Sequence, residues 1–300
     1  MNLRKPTADI VIFNVLSYLL LSVFAILCFV PFVMVLSSSL TDEQEIIRNG
    51  YTLFPTSFSL KAYEVALENP MVILRAYGVT MLVTVVGTIA SVFLMAMTAY
   101  VIHKRTFRIA NGLSFYFFFT TLFNAGLVPW YILIMKYLNL KDNLLVLIIP
   151  SLFSVFYVIV MKAFMRGVPE ALSESAYMDG ANEFRIFTSI ILPVCKPVLA
   201  TVTLFVALQY WNDWYLSMLF ISDENLRPLQ LLLYNLVTNS EELRKISALS
   251  GGGASVDMSN MPQNSLKMAV TMISLGPILF LYPFIQRYFV KGLTLGAVKG

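Results

Sequence analysis

The sequence predicts an all-α membrane protein with six transmembrane helices, and three observations carry that class. Of its 300 residues, 58% are hydrophobic and only 13% charged, with a mean hydropathy of +0.75, far from the composition of a soluble domain. Apolar runs free or nearly free of charge recur at Ile10 to Leu40, Ala76 to Ile102, Ile109 to Met135, Asn143 to Met161, Val198 to Ile221 and Met268 to Ile285. A bilayer core of roughly 30 Å takes about 20 helical residues, so each run can cross once. The third observation is charge placement. With the N-terminus inside, Arg4, Lys5, Lys104, Arg105, Arg108, Lys162, Arg166, Arg185, Lys196, Arg287, Lys291 and Lys299 all fall on the cytoplasmic side, as the positive-inside bias requires. Both termini are then cytoplasmic, and residues 1–300 form one transmembrane domain in a cell membrane.

The first run is too long for the apolar region of a signal peptide and precedes no small-residue cleavage site, so it reads as a retained helix. The external segment Thr41 to Arg75 carries Asp42, Glu43 and Glu45, then a short helix opened by Ser59 as N-cap and ended before Pro70. It either meets a partner or caps the bundle. The third run is interrupted by Asn124-Ala125-Gly126 and Pro129, which predicts a kinked or broken helix. Non-helical backbone at membrane depth is tolerated where it lines a cavity or is buried in protein. Asn124 is thus a candidate for the solute path, and packing of the kink is the competing reading.

Arg166 to Pro197 is a polar, helix-forming stretch between two spanning runs. Pro169 suits a first helical position, and Glu170 and Glu174 put acidic charge on the opening turn. Glu170, Ser173, Glu174 and Tyr177 share one helical face, with Leu172 and Ala176 on the other. Asp179-Gly180 supplies a stop and a left-handed position. Phe184, Phe187 and Ile191 recur at helical spacing beyond it, and Pro193 and Pro197 end the second piece. The expectation is a knuckle of helix, sharp Gly turn and helix, with Phe184 and Phe187 supporting it from the membrane side. It is either a docking element or a solvated loop.

The fifth run holds Gln209-Tyr210-Trp211-Asn212-Asp213-Trp214-Tyr215. An ionisable side chain inside a spanning helix is costly unless it meets a cavity or partner. Tyr210 and Trp211 offer rings to sugar C–H faces, while Asn212 and Asp213 offer hydrogen-bonding groups to hydroxyls. An aromatic belt at the interface is the alternative. Gly251 to Ser255, in the long polar loop between Ser222 and Lys267, lacks the Lys of a phosphate-binding loop and reads as a linker. Gly276-Pro277 and Pro283 predict a kink in the sixth run. Cys28 and Cys195 read as packing residues and His103 as a surface residue, and these three assemble no metal site. A net charge of +4 without a basic aromatic cluster excludes nucleic-acid binding.

The knuckle resembles the EAA loop of ABC importer membrane subunits: E-A-A, three residues, G, nine residues, I-x-L-P. Here it reads Glu174-Ser175-Ala176, Gly180 and Ile190-Ile191-Leu192-Pro193, departing only at Ser175. The longer PEALSESAYMDGANEF and the tail QRYFVKGLTLGAVKG, Gln286 to Gly300, are similar to the carbohydrate-uptake, maltose-transporter-like branch. A Trp-Asn-acid sequence like that at Trp211 to Asp213 also occurs there, bordering the translocation path.

The resemblance implies a type I importer permease fold for carbohydrate, working as a multi-pass bacterial plasma-membrane subunit. Its partners would be a second homologous permease, two ABC ATPase subunits, an extracytoplasmic solute-binding protein, membrane lipid and the sugar, with ATP and Mg hydrolysed by the ATPases and no cofactor on this chain. The ATPase-coupling residues implied are Glu170, Glu174, Ser175, Ala176, Asp179, Gly180 and Ala181. The residues themselves show no nucleotide-binding loop and no catalytic constellation, so the chain is not an enzyme. An ion-coupled secondary transporter is the competing class, and it would usually need more intramembrane carboxylates than Asp213.

Overall fold

The computed structural model describes residues 8–68, 70–104, 106–238 and 262–276. The end of the sixth apolar run, the Gly251 to Ser255 linker, the 286–300 tail and Arg4, Lys5, Arg105, Arg287, Lys291 and Lys299 lie outside the described residues. Among those described the chain is helical, and its isolated β pairing is the antiparallel bridge between Thr41 and Phe58.

Two units divide the chain. The first comprises residues 1–70 and 235–276. Its long helix α1, Ala8–Ser39, has no buried residue in its most apolar stretch. Asp42 caps α2, Glu43–Asn49, by accepting from the Gln44 N–H at 3.0 Å. Ser59 opens α3, Lys61–Glu68, as its sequence position predicts, accepting from the Lys61 N–H at 3.3 Å. The Glu43 carboxylate receives the Asn264 and Ser265 N–H groups at 2.9 Å. Those amides open the helix over 263–276, where a negative charge is favoured.

The second unit, 71–234 and 277–300, carries the larger core. Its α4, Pro70–His103, starts about a turn and a half before the apolar run does and meets the end of α12, Lys196–Trp211, where Tyr210 lies over Gly87. Two other predicted crossings, the third and fourth, are bent rather than straight, and the fifth is entered around a bend. Helix α5, Ala110–Leu122, meets α6, Leu127–Ile132, and its π-helical continuation to Tyr137 at 113°. The break falls at the predicted Asn124-Ala125-Gly126; Pro129 sits inside α6 and breaks nothing. Helix α7, Leu145–Ile148, runs through a 3-10 turn and meets α8, Val155–Met165, at 52°. The helical stretch Glu183–Val194 meets α12 at 84° around Cys195. Two straight helices and three bent pairs are therefore long and apolar enough to cross a membrane among the described residues.

Candidate functional site

The knuckle forms from α9, Ala171–Met178, and α10, Glu183–Ile186. Residues Pro169 and Glu170 make the entering turn, the Glu170 carbonyl accepting from the Ser173 and Glu174 N–H groups at 2.9 and 3.1 Å. At the other end Gly180 has φ +78°, and the Gly180 and Ala181 N–H groups each donate at 2.9 Å to the Tyr177 and Ala176 carbonyls. This is a Schellman closure, which satisfies the last carbonyls of α9 by backbone alone. A side-chain carbon at Gly180 would meet nothing within 4 Å, so the left-handed φ and not crowding selects glycine. Asn182 then caps α10, its Oδ1 accepting from the Arg185 N–H at 2.8 Å.

Past Ile186 the helix widens into a π-helix, Phe187–Ile191, and continues as α11, Leu192–Val194, with Pro193 inside it. Pro193 therefore does not end the second piece. The widened turn accommodates the missing proline N–H, and the chain bends by 84° two residues later, with Pro197 in the first turn of α12.

Glu170, Ser173, Glu174 and Tyr177 do share a face, and it lines a recess of about 240 Å3 together with Tyr100, His103 and Lys104. Ala176 is buried beneath α9, while Leu172 is partly exposed. Ser175 is exposed and its hydroxyl folds back onto the Ala171 carbonyl at 2.8 Å, so the residue departing from the EAA pattern intrudes on nothing. Glu174 and Asp179 stand exposed. Of the two phenylalanines, Phe187 is buried against the Tyr100 and Phe93 rings at 5.2 and 6.0 Å. Phe184 is 61% exposed and Met178 88%, so Phe184 belongs to the outer surface rather than to the supporting side.

What fastens the knuckle to α4 is a cluster around Lys104. Its ammonium pairs with Glu183 and donates to the Tyr177 hydroxyl at 2.5 Å, lying over the Tyr100 and Tyr177 rings. Tyr100 and Tyr177 both donate to the Glu183 carboxylate, the former at 2.7 Å. Burial opposes charge on both partners, but the contacts override it: Lys104 is raised above the ordinary lysine value and Glu183 is held below the ordinary carboxylate value. Cys195 is buried in the core as a packing group. Cys28 lies exposed on α1 instead.

The predicted path residues are distributed differently. Tyr210 is 4% and Trp211 5% exposed. The Tyr210 ring lies flat over Gly87 of α4, where an added side-chain carbon would come within 2.7 Å, and its hydroxyl joins Ser91 Oγ and the Ile148 carbonyl at 3.0 Å. Trp211 packs on Tyr77 at 6.4 Å. The fifth run breaks here: α12 ends at Trp211 and α13 spans Tyr215–Phe220. Asp213 Oδ1 accepts the Tyr215 and Leu216 N–H groups at 3.2 Å, capping α13. Asn212 is exposed, donating to the Leu208 carbonyl at 2.9 Å and accepting from Gln230 at 3.3 Å. Asn124, at the other break, is exposed and accepts the Gly126 N–H at 2.8 Å.

No family model matches the chain. It is 37% identical to the polygalacturonan/rhamnogalacturonan transport system permease protein YtcP of Bacillus subtilis, over 96% of this chain and 99% of that one. LplC of the same organism is 35% identical over 96% and 95%. A solved bacterial ABC transporter involved in the import of the acidic polysaccharide alginate superposes with a TM-score of 0.80 at 27% identity, covering 95% of this chain and 99% of its counterpart. The chain belongs to the permease subunits of ABC-type sugar import systems. Its work is transport and not catalysis, as a membrane subunit of an importer.

In this permease, reading the sequence located the knuckle but missed its fastening. Lys104 and Glu183 are 79 residues apart, and only a basic residue ending one apolar run, beside an acid after the Gly turn, signals them.

Proposed function

We propose that this permease pairs with a homologous sister permease, receives an oligosaccharide from an extracytoplasmic solute-binding protein, and is driven by two ATPase subunits that grip the 166–197 knuckle. The single observation that supports this most strongly is the closed Gly180 turn, which holds Glu174 and Asp179 outward while Lys104 and Glu183 tie the same element to α4. A loop that only shielded the bundle would need neither the turn nor the tie. In this reading six helices cross the plasma membrane, the knuckle and both termini are cytoplasmic, and Glu170, Glu174, Ser175, Ala176, Asp179, Gly180 and Ala181 form the EAA coupling surface. ATP and Mg belong to the ATPases.

An oligosaccharide substrate accords with the names of the similar proteins, one of which refers to polygalacturonan and rhamnogalacturonan and another to the acidic polysaccharide alginate. Asn212 and Asp213, at the break in the fifth run, and Asn124, at the break in the third, are the polar groups offered to the path. Tyr210 and Trp211 set the geometry behind them. The deciding experiment is copurification of the ATPase subunits with Glu174→Ala and Gly180→Val permeases. Both should insert normally and still bind the loaded binding protein, yet lose ATPase association and sugar-stimulated hydrolysis. Full association and wild-type uptake in both would return the knuckle to a solvated loop.

A further inference from the structure

Beside the knuckle lies a second recess, of about 480 Å3, whose Arg108, Lys162 and Arg166 have no task in the transport reading. Its walls come from the C-terminal ends of α4 and α8 and the start of α5, so it sits where membrane-crossing helices leave the apolar layer. Lys104, Arg108, Lys162 and Arg166 line it, against Glu170 as the one acidic lining residue. Lys104 is engaged by Glu183. Among the described residues Arg108, Lys162 and Arg166 have no ion-pair partner, and Lys162 reaches only the Ser114 hydroxyl at 2.7 Å. Lys162 and Arg166 stand four apart on α8 and its end, where like charges repel. A concave, cation-lined space of this kind calls for an anion with several acceptor oxygens, to which guanidinium forks and an ammonium can all donate.

We propose that this recess binds the phosphate of an anionic phospholipid headgroup. Depth favours a headgroup over a soluble ion, because basic pockets between helices at the membrane surface meet headgroup phosphates there. The recess shares His103, Lys104, Val168 and Glu170 with the one under α9, so its occupant touches the base of the knuckle.

The test reconstitutes the assembled importer in phosphatidylcholine vesicles with and without phosphatidylglycerol and measures, after re-extraction, the phosphatidylglycerol retained per complex by lipid mass spectrometry. Arg108→Gln and Lys162→Gln should each lower retention about five-fold, the ordinary worth of one basic residue at an anionic lipid surface. Lys61→Gln, on α3 of the other unit, should leave it unchanged. Wild-type retention in both recess variants would overturn the site, and so would an equal loss in Lys61→Gln. Millimolar inorganic phosphate should not displace the lipid. Displacement at that concentration would overturn the headgroup and assign the recess to a soluble phosphate-bearing ligand.

Discussion

The turn at Gly180 and the break at Asn212-Asp213 both interrupt a helix beside polar residues, yet they are closed by opposite means. At Gly180 the backbone satisfies itself, so the carboxylates of Glu174 and Asp179 remain exposed for something outside the chain. At Asp213 the side chains make the closure: the carboxylate caps α13, and Asn212 covers the Leu208 carbonyl. The polar residues beside Gly180 are thus left whole for a partner, whereas at Asp213 any contact with a solute is shared with the work of closure. The two regions also differ in what lies behind them. Tyr210 is locked into the core against Gly87, while the knuckle is moored by exposed or half-exposed charges around Lys104.

The largest expected effect separates these two supports. Tyr210→Ala removes a buried ring and its two hydrogen bonds, and should cost about 3–5 kcal/mol, the usual range for a large aromatic truncation. The melting temperature of the purified complex should drop accordingly. Gly87→Ala pushes on the same ring and should cost about 1–3 kcal/mol by overpacking. If neither shifts the melting temperature, the packed reading of the fifth run is wrong. Gly180→Val carries a comparable conformational penalty, about 1–3 kcal/mol, but it is confined to the turn. It should appear as protease sensitivity around 178–182 with little change in global melting.

How much of this was legible in the sequence follows from how local each cause is. The Gly180 turn, the Asn182 cap, the Ser59 cap and the break at Asn124 are set by neighbours along the chain, and the residue pattern showed the turn, the Ser59 cap and the break. The α12–α13 break was not visible, because Tyr210 to Tyr215 stays within an apolar run and its residues read as a solute path or an aromatic belt, neither of which calls for a break. The Lys104, Glu183 and Tyr177 cluster depends on how α4 meets the knuckle, which no local pattern encodes. Phe184 and Phe187 look alike in sequence. Only Phe187 faces Tyr100 and Phe93, and that is decided by the tertiary fold.

A smaller effect tests whether Asp213 has a task beyond closure. Asp213→Ala should cost about 1 kcal/mol, the usual worth of a lost cap, and Asp213→Ser should restore most of it because a hydroxyl can accept the same amides. If the acid also meets sugar, Asp213→Ser will keep the wild-type melting temperature and still transport poorly. Wild-type uptake in Asp213→Ser would confine the acid to capping and sharpen the contrast with Glu174.

The smallest effect concerns the mooring of the knuckle, where solvent screens the charges. The Glu183 side chain is 57% and that of Lys104 18% exposed, so the pair contributes no more than about 1 kcal/mol. Glu183 is held below its ordinary value of 4.5, so its share is present above that pH and fades as pH falls through the lower folded value. Lys104 is raised above 10.5, so its share is present below that pH and fades only as pH climbs through the higher folded value. Protease sensitivity of the knuckle should therefore stay flat from pH 5 to pH 9, about the span over which both charges persist. Glu183→Gln should loosen it slightly and equally across that span, and Lys104→Met should do the same. Wild-type sensitivity in both variants would mean that the Lys104–Glu183 tie is not what moors the knuckle to α4, and a pH-dependent change within that range that persisted in both variants would assign the titration to another group.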